Sequence, residues 1–166
     1  NKEKLINFKA DKDQLFSIIR NYKLLRLLEK NLSKNKYFKS ILINEINLSF
    51  LKKYQLIINC DTSNVISKRY FSKKIIKKYN SYAYTTTISH DEILNNTAFQ
   101  IFTKKGPLAF LPISSRETSI VYSVHSLNHE KEENIEKLIR KKNFKYKING
   151  LGKINSFELM SSNLGS

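Results

Sequence analysis

The stretch Cys60-Asp61-Thr62-Ser63-Asn64 gathers a thiol, a carboxylate, two hydroxyls and a carboxamide; it follows the apolar run Leu56-Ile57-Ile58 and precedes Lys68-Arg69. Polar side chains that follow a strand can face a ligand. They can equally fold back and bond their own backbone in a turn. By pattern alone the turn is the stronger reading. Cys60 is the single cysteine, which excludes an internal disulfide and a cysteine-cluster metal site; after an apolar run it reads as a small buried residue. His90, His125 and His129 lack the spacing of a metal or nucleophile constellation and read as polar residues at strand and loop ends. No catalytic or metal-binding residue is assigned.

Strands must do most of the positioning. Short apolar and aromatic runs bounded by Asn, Gly and Pro predict an antiparallel sheet from segments near 81–89, 96–103, 108–113 and 118–126. Ala98, Gln100 and Phe102 then share one face, and Phe99, Ile101 and Thr103 the other. Lys105-Gly106-Pro107 supplies a bend, and Pro112 marks a strand edge or end. Upstream, Leu15, Ile18, Ile19, Tyr22, Leu25, Leu28 and Leu32 fit a helical stripe. That stretch reads either as one helix, or as a strand near 14–19 followed by a helix over 22–33 with Asn21 as N-cap. Strands are expected at 39–43 and 54–59, with a further short one at 46–51. A last helix has Glu130, Glu132, Glu133 and Glu136 at its start and Lys137, Arg140, Lys141 and Lys142 at its end, as the helix dipole favours. The fold class expected is α+β, an antiparallel sheet with flanking helices.

One segment carries a denser pattern. Asn95, Asn96, Ala98, Phe99, Gln100 and Phe102 lead into Gly106 to Ala109, Leu111 and Pro112, and then Ser119, Val121, Tyr122 and Ser123. This order resembles the middle of the ubiquinone-biosynthesis hydroxylases, class A flavin monooxygenases that hydroxylate polyprenylated phenols. The resemblance extends over about residues 16 to 159 and is dense only from 95 to 123. It implies a substrate-domain sheet within a larger FAD-binding fold, FAD as cofactor, NAD(P)H as reductant and a polyprenyl-phenol substrate. Asp61 and Asn64 match a cofactor-binding Ala-Asp-Gly-x-Asn-Ser-x-x-Arg element. Thr62 replaces its glycine, Val65 its serine, and Lys68 or Arg69 stands for its arginine. Tyr22 and Ile101 occupy positions of two further family arginines. Tyr82, Tyr84, Phe99, Phe102 and Phe110 are the candidates to line the substrate cavity. The family's Gly-x-Gly-x-x-Gly and Gly-Asp-Ala-Ala-His segments are not in the sequence. Residues 1–166 are therefore expected to be a single incomplete domain, a central fragment inactive alone. A non-catalytic scaffold homologue in a quinone-synthesis assembly is the alternative, and a basic module for nucleic acid or membrane surface a third.

Composition bounds the partners. The 166 residues carry a net charge of +16, but only Arg20, Arg26, Arg69, Arg116 and Arg140 among the 30 basic residues are arginine. Nucleic-acid readers lean on arginine for bidentate contacts, so no specific nucleic-acid partner is expected. Lys73, Lys74, Lys77 and Lys78 read as a solvated face or loop. No apolar run approaches the ~20 residues of a membrane span. The expectation is a soluble cytoplasmic protein, peripheral to the inner membrane if it meets a membrane at all.

Overall fold

The structure is a computed structural model that describes residues 16–41, 48–71 and 73–165. The chain divides into two compact units, Asn1–Phe38 and Lys39–Ser166.

In the first unit, α1 (Asn21–Leu32) is the single regular element among the described residues. Asn21 is its first residue and not its cap. Arg20 holds the N-cap position in extended conformation, and its carbonyl accepts from Lys23 and Leu24. Residues 16–20 are irregular, so the strand expected near 14–19 is not formed there; residues 14 and 15 lie outside the described residues.

The second unit is α+β, with a curled antiparallel sheet. A short 3-10 helix (Leu48–Lys53) and α2 (Val65–Tyr70) precede six strands, with α3 (Glu132–Lys142) between the fourth and fifth. The strands are β1 (Lys73–His90), β2 (Phe99–Phe102), β3 (Pro107–Pro112), β4 (Glu117–His125), β5 (Ile148–Leu151) and β6 (Asn155–Gly165). Their order is β2-β3-β4-β1-β5, with β6 also on β1. The four predicted strand segments are thus present, β1 being longer than expected. Its basic first half, Lys73 to Lys78, pairs with β6 as an exposed ribbon. The register breaks between Lys78 and Tyr82, where Asn80 adopts φ 49°, a left-handed conformation that Asn tolerates better than most residues.

The segment 54–59 is not a strand. Among the described residues it has no neighbouring strand to take its backbone groups, and Ile58 is 80% exposed. Residues 39–41 are also irregular, while 42–43 and 46–47 lie outside the described residues; 48–53 forms the 3-10 helix where a strand was expected. Cys60 is exposed, not buried, because the run before it packs against no sheet.

Alternation along the strands sorts side chains onto two faces. One face carries Tyr84, Ile88, Leu108, Phe110, Ile120, Tyr122 and Val124 and is covered by Ile135 and Ile139 of α3, with Tyr146 and Ile154 closing the core. The tight turn before β3 depends on Gly106. Its φ is +148°, and a Cβ there would stand 2.1 Å from the carbonyl oxygen of Ser123.

Candidate functional site

The cross-strand register assembles the second face of the sheet from small residues. Gln100 pairs with Ala109, Ala109 with Val121, Val121 with Thr85, and Thr85 with Asn155, making one row across five strands. A second row runs Ser123, Ala83, Phe157, and a third runs Leu111, Ser119, Thr87. The middle of this face is half-buried and floored by Ala83, Thr85, Ala109, Val121 and Ser123. Two large rings stand out at its opposite margins: Phe102, 78% exposed, and Phe157, 55% exposed. Small residues thus form the centre of this face, with Phe102 of β2 and Phe157 of β6 on its outer strands and the hydroxyls of Thr85 and Ser123 among them.

The aromatic residues singled out in the sequence divide between the faces. Tyr84 and Phe110 are core residues, and Phe99 packs against the core with its ring stacked on Phe110 at 4.5 Å. The Tyr84 hydroxyl accepts from the Glu130 amide at 2.7 Å, and Tyr82 lies 4.1 Å from the His129 ring on that same face. Phe102 alone of the set is on the open face. Ala83, Thr85, Ser123 and Phe157 were missed: the small residues at 83, 85 and 123 alternate with core residues, and only the cross-strand register shows that they share a face.

The Asp61 stretch folds as a self-bonded turn. Asp61 Oδ1 accepts from the Ser63 amide at 2.7 Å and the Ser63 hydroxyl at 2.6 Å. These bonds, the hydroxyl's foremost, hold the Asp61 carboxyl below the usual carboxylate range. Asn64 caps α2: its Oδ1 accepts from the Ser67 amide at 2.9 Å, and its Nδ2 donates to Asn59 Oδ1 at 2.7 Å. Ser67, itself buried, donates to the Asp61 carbonyl at 2.5 Å. Asp61 and Thr62 also line a groove of about 540 Å³ with Ile57, Ile58, Ile66, Tyr70 and Phe71. The element does not fit a flavin contact as it stands. The Asn64 carboxamide is spent within the turn, and Thr62 carries a Cβ that the glycine of the resembled element would lack.

A second cavity of about 350 Å³ opens beside α3, lined by Thr103, Lys105, Tyr122, Glu130, Asn134 and Leu138. The Lys105 ammonium is paired with Glu130, which pushes its pKa up. Among the described residues no group of His, Cys, Asp and Glu is placed to hold a metal, and no helix is long and apolar enough to cross a membrane. No family model matches the chain, and no curated protein matches it.

Proposed function

We propose that the second unit is the substrate-binding sheet of an FAD-dependent monooxygenase that hydroxylates a polyprenylated phenol in ubiquinone biosynthesis. The observation that supports this most is the placement of the 95–123 pattern. It runs through the consecutively paired β2, β3 and β4, and its alternate residues Ala109, Val121 and Ser123 are three of the five residues of the open floor. A phenol ring on that floor would lie between Phe102 and Phe157, with the hydroxyls of Thr85 and Ser123 at hand to orient it. Positioning the ring and excluding water are the protein's share in such a reaction, and the oxygen chemistry belongs to the flavin. The test is titration of the chain with 2-farnesylphenol followed by amide NMR. Shifts should gather on Ala83, Thr85, Val121 and Ser123 and vanish in Ala83→Phe; shifts gathered elsewhere, or none, sink this assignment of the face.

The scaffold reading is favoured by one observation, the commitment of Asn64 and Asp61 Oδ1 to their own turn. FAD content of the longer protein that the resemblance implies separates the two. A flavin-free but stable protein would favour the scaffold.

A further inference from the structure

The first unit offers a surface of different character. In α1, Leu24, Leu25, Leu28 and Leu32 recur at the spacing of one helical face, and each is between 41% and 56% exposed. Lys23, Arg26 and Lys30 recur at the same period on the opposite face, and Glu29 is the one acidic residue of the helix. A leucine face backed by a cationic ridge, without a buried residue anywhere in the helix, is the pattern of an element that lies in the plane of an anionic bilayer surface. We infer that α1 docks on anionic lipid, with its leucines among the upper acyl chains and Lys23, Arg26 and Lys30 toward the headgroups. Charge complementarity selects this occupant. An apolar protein groove would satisfy the leucines and leave the cations without acidic partners, whereas an anionic lipid surface satisfies both.

This inference uses the first unit alone, so it stands or falls independently of the hydroxylase reading. The chain has no tryptophan, which makes Leu28→Trp a unique reporter. With vesicles of equal parts phosphatidylcholine and phosphatidylglycerol, its emission should shift to the blue and be quenched by lipids brominated along the upper acyl chain. Pure phosphatidylcholine should give little shift, and added salt should weaken the response. Adding Leu24→Gln and Leu25→Gln leaves the net charge unchanged and should lower vesicle affinity roughly tenfold or more. A water-like tryptophan spectrum in the presence of anionic vesicles overturns the inference. So does binding that survives the two glutamines, which would assign attraction to the lysine-rich β1 ribbon instead.

Discussion

The phenolic hydroxyl of Tyr146 donates to Asn95 Oδ1 at 2.9 Å, joining residues 51 positions apart in the chain. The Asn95 amide in turn donates to Thr118 Oγ1 at 2.9 Å and to the Ser114 carbonyl at 2.8 Å. Thr118 lies 3.0 Å from Nε2 of the buried His90, whose ring faces that of Tyr146 at 4.5 Å. One carboxamide thus ties β1, β4 and the segment after α3 into a polar lock at the end of the core.

Asn95→Ala should therefore destabilise the second unit, by about 1–3 kcal/mol, since the half-buried Tyr146 hydroxyl loses its acceptor while Thr118 and the Ser114 carbonyl each lose a donor. Urea or thermal unfolding measures it. A change within error would mean that water replaces the carboxamide and that the lock is incidental.

Gly106→Ala adds a Cβ that meets the backbone of Ser123, not a side chain able to swing away. With the positive φ as well, the expected loss is at least about 1–3 kcal/mol. The damage should be local, with hydrogen exchange accelerated first in β2 and the start of β3. A variant as stable as the parent would show that the turn before β3 can re-form with another geometry.

Much of the sheet was legible in the sequence because its strands are bounded by Gly106, Pro107 and Pro112 and alternate cleanly, as at 118–125. The strands β5 and β6 were not, since Asn149, Gly150, Asn155, Ser161 and Ser162 give weak strand propensity and only pairing with β1 holds them extended. At 54–59 the error ran the other way. The composition is strand-like, but a strand needs a neighbour. The turn at Asp61 was legible from its Asx and Ser content, whereas the candidate floor was not, because attention to aromatics leads to the core face and small residues carry no signal until the register is known.

Tyr146 contributes to the alkaline side of stability, as does Lys105, whose pKa is also pushed up. Burial pushes the Tyr146 pKa above the usual value of 10.0, tempered by the neighbouring Thr118 hydroxyl. The unfolded chain then loses the phenolic proton first, so this contribution is whole below pH 10 and is lost as pH rises through the folded pKa. Lys145, pushed down by burial, opposes it in the same window. The informative quantity is therefore the difference between parent and Tyr146→Phe. The variant should be less stable at neutral pH, by about 1 kcal/mol for the lost bond to Asn95, and its stability should fall less steeply above pH 10. Parallel alkaline profiles would remove Tyr146 as the cause.

If the hydroxylase reading holds, a sharper demand follows, because the stretch that resembles a cofactor element, Asp61 to Arg69, is bonded to its own backbone. With Asn64 capping α2 and Asp61 Oδ1 held by Ser63, the 166 residues should purify colourless and give no flavin-dependent NAD(P)H oxidation. A longer protein carrying intact glycine-rich elements should hold FAD if the hydroxylase reading is right, since a glycine loop at a helix start supplies the amides that bind pyrophosphate. Within it, Asp61→Ala removes both bonds to Ser63 and frees the turn, whereas Asp61→Asn keeps an acceptor for the Ser63 amide and loses the charge. If the carboxylate serves the cofactor, both variants should release FAD or slow its reduction by NAD(P)H. If it serves only the turn, Asp61→Asn should match the parent in flavin spectrum and reduction rate, and Asp61→Ala should lose stability alone. That second pattern would leave Asp61 a turn residue and move the search for the flavin contacts outside this stretch.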